Sequence, residues 1–154
     1  MHIYYINCER TSTKGEVALL IPHLHFNGDC EEAILLYERA FKTETETIIR
    51  NSDYSPDKLK QDNKIAHAVM NIQGHKIFLN DRFGNKDRLS DIAVHLIIMF
   101  KDTGELLDCY KIMKPDSITI DPLEELPYSK LAVQFIDRFG VQWGFMVEDF
   151  ANKS

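Results

Sequence analysis

Apolar residues at Cys30, Ala33, Ile34, Tyr37, Ala40 and Phe41 recur at three- and four-residue steps, the period of a helix with one face turned to a core. Asp29 precedes the run and Glu32 follows three residues later, an Asp-x-x-Glu start resembling a capping box. The spacing predicts a helix over 29–41. Residues 102–113 repeat the design: Asp29, Glu32 and Tyr37 recur as Asp102, Glu105 and Tyr110 at one constant offset. A second offset carries Lys64, Ile65, Ala66 and Gly74 onto Lys130, Leu131, Ala132 and Gly140. An apolar stretch flanks each of those glycines on both sides, 65–72 with 76–80 and 131–136 with 141–147, which predicts two hairpins. Strands are also expected at 17–26 and 92–100 before the helices, and at 43–50 and 117–120 after them.

Two blocks that agree in order and internal spacing constitute a repeat. The predicted fold class is α+β: two βαβββ modules, 17–81 and 91–148, forming a curved, mostly antiparallel sheet with a cleft and with helices on its outer face. One module of about 60 residues is marginal alone, so 17–148 is expected to fold as a single domain. Residues 1–16 form an N-terminal extension and 149–154 a C-terminal tail. The stretch 51–63, with Ser52, Asp53, Ser55, Pro56 and Asp57, reads as a polar loop beside the cleft.

Strand parity assigns faces. In the last strand Val141, Trp143, Phe145 and Val147 form an apolar side suited to packing under helices, which turns Gln142, Gly144, Met146 and Glu148 to the cleft. The same alternation gives Ile77 and Leu79 to the core and Lys76, Phe78 and Asn80 to the cleft. Leu24 and Phe26 point inward, leaving His23 and His25 on the open face. His95 lies in an apolar run, Ile92 to Met99, and is expected to be a satisfied core histidine. His2 and His75 read as surface residues.

The composition removes several function classes. Of 154 residues, 44% are hydrophobic and 27% charged, and 18 basic residues stand against 24 acidic ones for a net charge of -6. That is an ordinary globular balance, and it works against gripping phosphate backbones, so no nucleic-acid partner is expected. Cys8, Cys30 and Cys109 show no C-x-x-C spacing, which argues against a disulfide framework or thiolate zinc site and for a reducing cytoplasm. Cys30 and Cys109 fall on apolar stripes and read as packed, inert thiols. No signal peptide or membrane span is expected. Glycine-rich nucleotide loops and the Gly-x-Ser-x-Gly elbow are absent, and no glycine-rich loop for a methyl-donor nucleoside is present. The Glu124-Glu125 run and the Glu44, Glu46 pair read as solvated surface.

The run from Pro22 to Ala33, with Asn27-Gly28 and Glu31-Glu32-Ala33 at the helix start, followed by Tyr37 and Phe41, resembles the opening motif of the PhnB-like branch of the vicinal oxygen chelate superfamily. Ile65-Ala66-His67-Ala68, Gly74 and Phe78-Leu79-Asn80-Asp81 resemble its central hairpin, and Asp137 to Gly144 its closing hairpin. The superfamily includes glyoxalases, extradiol dioxygenases, fosfomycin-modifying enzymes and bleomycin-binding proteins. The resemblance implies paired βαβββ modules and a homodimer. It also implies, for members with metal chemistry, a divalent ion held by His, Gln and Glu with positions open to substrate oxygens.

In that pattern each closing strand carries its glutamate four residues after the turn glycine, where this chain has Phe78 and Gly144. Neither side chain ligates a metal, so no metal or other cofactor is expected. A divalent ion would need a rearranged set built on His23, His25 and His67 with Glu148, which would make the protein a metal-dependent lyase, isomerase or thiol transferase. The expected function is binding of a small organic molecule in the cleft, with His23, His25, His67, Phe78, Asn80, Gln142, Gly144 and Met146 as its lining. Sequestration of an antibiotic or toxin is a further alternative, and the residues leave catalysis open.

Overall fold

The computed structural model describes residues 19–54, 63–82 and 94–147. Their elements run β1 (His23–Phe26), α1 (Cys30–Phe41), β2 (Thr45–Arg50), α2 (Asn51–Tyr54), β3 (Ile65–Ile72), β4 (His75–Asp81), β5 (Leu96–Phe100), α3 (Thr103–Met113), β6 (Ile118–Leu126), β7 (Ser129–Ile136) and β8 (Gln142–Val147). The strands form two four-stranded sheets, ordered β1-β4-β3-β2 and β5-β8-β7-β6. In each, the edge strand before the helix is parallel to the closing strand, and the other pairs are antiparallel. The repeat is therefore real in space.

The two helices start differently. Asp102 caps α3 as its sequence suggests, accepting from the Glu105 amide at 2.9 Å. Asp29 makes no such bond in α1, so the capping-box reading there is corrected. The carboxylate of Asp81, at the end of β4, replaces it: one oxygen accepts from the amides of Gly28 (2.9 Å) and Cys30 (3.0 Å), the other from Ile65 (2.9 Å). A carboxylate at a helix N-terminus satisfies orphan amides and complements the dipole. The first hairpin turns on Gln73 and Gly74, with φ of 52° and 81°, the two positive values that a two-residue type I′ turn requires.

One core joins both modules. Tyr37 and Phe41 of α1 meet Trp143 of β8 at ring-centroid distances of 5.5 and 5.2 Å, and Phe41 also reaches Phe145. Trp143 and Phe145 are buried within the chain, as parity predicts. Asp137, also buried, sits at the centre of this contact. One of its oxygens accepts from Tyr37 Oη (2.6 Å) and Trp143 Nε1 (2.9 Å), and the other from the Phe139 and Val141 amides (both 2.9 Å). The side chains that meet between modules are thus helical and core-facing ones.

Three expectations are revised. The 51–63 stretch opens with a four-residue helix whose Asn51 is buried; residues 55–62 lie outside the described residues. β6 extends to Leu126, past Pro122 and the Glu124-Glu125 pair, as a bulged and exposed edge strand, where proline and charges are tolerated because one side of the ladder is free. His95 is exposed rather than a core residue. β5 alternates, with Ile98 and Phe100 buried but Ile97 and Met99 about half exposed, because α3 covers one face of the second sheet and leaves the other open.

Candidate functional site

Five of the expected lining residues come together on the open face of the first sheet. In register, His23 lies opposite Phe78 and His25 opposite Asn80, with Val69 beyond Phe78 on β3. The His23 and His25 rings are 4.2 Å apart by centroid, and His67 meets the Phe78 ring edge-on at 4.7 Å. His23 lies 6.4 Å from His67 and 5.9 Å from Phe78. Leu24 and Phe26, the alternate residues of β1, face the core; this period of two holds the histidines outward.

His25 Nδ1 and Asn80 Oδ1 are 2.6 Å apart. Since the amide oxygen can only accept, Nδ1 carries the hydrogen of this bond. The pKa of His23 is held below the ordinary imidazole range by burial first, then by repulsion from His25 and His67. Near neutral pH His23 is an uncharged hydrogen-bonding group beside an aromatic wall.

These residues do not fit a bound metal. Among the described residues no group of three His, Cys, Asp or Glu side chains is placed to hold an ion. The strand position where a carboxylate would stand in the first sheet carries the Phe78 ring, packed against His23 and His67. Glu148, the acid of the rearranged set, lies outside the described residues, as does His2.

Gln142, Gly144 and Met146 fall on the open face of the other sheet, away from the histidine cluster. Gly144 is buried, because the side chains of Ile97 and His95 lie over it. There the sequence reading missed two groups: Gln134 Nε2 donates to His95 Nδ1 at 3.3 Å. Gln134 was detectable as the polar residue in the apolar run Leu131–Ile136, pointing to the same side as its partner Gly144. By strand partner the faces diverge: Ile97 stands where His23 does, Met99 where His25 does, Gly144 where Phe78 does and Met146 where Asn80 does.

Two of the thiols are packed away as expected. Cys30 and Cys109 are free and buried, burial pushing Cys109 up to about 12 and Cys30 higher still, with Asp81 adding to the latter. Cys8 lies outside the described residues.

No protein-family model matches this chain and no curated protein matches it. Solved structures do. The PhnB protein from Bacillus cereus superposes with a TM-score of 0.73 at 24% identity, over 83% of this chain and 98% of that one. Protein PA1353 from Pseudomonas aeruginosa gives 0.76 at 22%, over 86% and 98%. A glyoxylase/bleomycin resistance protein/dioxygenase domain from Frankia sp. EAN1pec gives 0.64 at 16%, over 90% and 96%. These likenesses show the fold: paired βαβββ modules, as the resemblance implies.

Proposed function

We propose that this chain, built on the vicinal oxygen chelate fold, binds a small organic molecule on the open faces of its modules without a metal ion. The observation that carries the reading is the convergence of His23, His25, His67, Phe78 and Asn80 on a sheet face opposite the one that packs on the core, where no described helix lies over them. Polar and aromatic side chains gathered outside the core, with hydrogen-bonding capacity to spare, suit recognition of a ligand carrying both a flat apolar part and polar atoms. Because neutral His23 offers one donor and one acceptor beside the His25–Asn80 pair, orientation comes from hydrogen bonds rather than charge.

A fragment library read through backbone amide shifts tests it. Binders should move the amides of His25, Phe78 and Asn80, and Phe78→Ala should weaken them at least tenfold. A library in which no fragment moves these amides, or in which binders at this face ignore that substitution, overturns the reading. Manganese, nickel and zinc retained stoichiometrically after dialysis, and lost in His23→Ala, would overturn its metal-free part. The reading includes a homodimer, because edge strands β1 and β5 each have one neighbour among the described residues and β5 exposes Met99. A monomer by light scattering at micromolar concentration would remove that element. A cytoplasmic location is part of the same proposal, in keeping with the two free, buried thiols.

A further inference from the structure

We propose that the open face of the second sheet is a groove for an amphiphilic organic cation, a molecule with an aryl or alkyl body and an ammonium-like end. The proposal rests on the small-molecule reading above and names the chemical class that this second face would take. The groove, about 370 Å³, lies over β5, β8, β7 and β6, within the size range of small-molecule sites.

Register lays out its floor in two rows. One runs Ile97, Gly144, Gln134, Asp121 and the other Met146, Ala132, Glu124. Both pass from apolar side chains at one edge to a carboxylate on β6. With neighbouring strands roughly 4.8 Å apart, the acidic end lies about 10–14 Å from the apolar end. A Cβ on Gly144 would meet Ile97 Cγ1 at 3.4 Å and His95 Cδ2 at 3.8 Å, ordinary contact distances, so these two side chains lie against the sheet over the glycine.

The polar groups are mostly acceptors. Gln134 spends one N–H on His95, which leaves its amide oxygen spare. The side chains of Asp121 and Glu124 have neither a hydrogen-bond nor an ion-pair partner among the described residues, and no described residue lining the groove is Lys or Arg. Tyr128, 63% exposed, adds a ring whose face attracts cations. An anion would meet two carboxylates of a chain whose net charge is already -6, whereas a cationic N–H donor finds acceptors at one end and apolar contact at the other.

The test uses two probes of similar shape and opposite charge, 4-phenylbutylamine, an ammonium ion at pH 7, and 5-phenylpentanoate. The amine should move the amides of Gln134 and Gly144 and bind roughly tenfold or more tightly than the carboxylate, the factor expected of two half-solvated charges. In the double variant Asp121→Asn, Glu124→Gln that gap should close. Both residues are exposed on an edge strand, so an unchanged thermal midpoint certifies the fold. Equal affinity for the carboxylate, undiminished amine binding in the double variant, or amine shifts confined to His25 and Phe78 would overturn the proposal. Those results leave the broader reading standing, since a ligand then still occupies an open face. A chain on which no fragment moves any open-face amide fails on both counts.

Discussion

Removing the Tyr37 hydroxyl tests whether Asp137 clamps the two modules. Tyr37 is buried on α1 of the first module, and its 2.6 Å bond to Asp137 Oδ2 crosses to the second. Its pKa is raised well above the ordinary phenol value, by burial first and then by the Asp137 carboxylate, so it remains a donor at any working pH. Tyr37→Phe keeps the ring contacts with Phe26, Phe41 and Trp143 and deletes one donor to a charged acceptor, a loss of about 1.5–3 kcal/mol. Asp137 would keep Trp143 Nε1 and two amides, which sets the upper bound. Asp137→Ala removes the acceptor of four donors, at about 1–3 kcal/mol each for those that water cannot reach, a large share of the 5–15 kcal/mol typical of a domain. Urea unfolding should give Tyr37→Phe a lower midpoint with unchanged slope, and a Tm lower by about 3–12 °C. With Asp137→Asn, the double variant should cost less than the two single losses together. A Tyr37→Phe loss below about 0.5 kcal/mol, or strict additivity with Asp137→Asn, would refute the clamp.

Asp81→Ala should destabilise by about 2–4 kcal/mol, since it leaves the amides of Gly28, Cys30 and Ile65 without their acceptor; hydrogen exchange should accelerate at Cys30 and Ile65, whereas Asp29→Ala, which removes no helix cap, should leave those amides protected. Peptide-resolved thiol labelling at pH 8 should find Cys30 and Cys109 unmodified in the native protein and labelled after denaturation, because their thiols are buried with raised pKa values; rapid native labelling of either would contradict the packing. His23 should titrate below 6.5 by ring-proton NMR, and an ordinary or raised midpoint would contradict the crowding at the cluster. Because its folded pKa is the lower one, the unfolded chain takes up the proton first, so the contribution of His23 to stability is intact above pH 6.5 and is lost as pH falls through the folded value.

What the sequence made legible follows from the range of each interaction. The helices and central hairpins are local patterns of apolar spacing and turn residues, and they stand as read, as do the outward histidines of β1, because the period of a strand binds Leu24 and Phe26 to the opposite side. The missed features depend on partners far along the chain. Asp81 caps α1 from a strand about 50 residues away, and nothing near Asp29 announces that its own cap is not used. Asp137 reads as one residue of a turn until α1 is packed beside it. The run around His95 is apolar enough for burial on both sides, yet it forms an edge strand with one face uncovered. The strand expected at 117–120 stops short of the glutamates read as solvated surface, but β6 runs on to Leu126, because an edge needs hydrogen bonds only toward β7.

The repeat explains why one framework can carry two different surfaces. Positions that face the helices stay apolar in both modules: Leu24 and Phe26 answer to Ile98 and Phe100, and Ile77 and Leu79 to Trp143 and Phe145. Burial constrains them, since shortening a core side chain typically costs about 2–5 kcal/mol. The intervening positions carry no such cost, and there the modules have parted, histidine against isoleucine or methionine and phenylalanine against glycine. Exchanging the faces therefore separates framework from recognition. Replacing His23 and His25 with Ile and Met, their counterparts on β5, should leave the unfolding midpoint within about 0.5 kcal/mol of the parent, the range for surface substitutions, while abolishing ligand shifts at Asn80. A large loss of stability instead would mean that the histidine cluster is part of the fold, and its claim to be a binding surface would fall with that result.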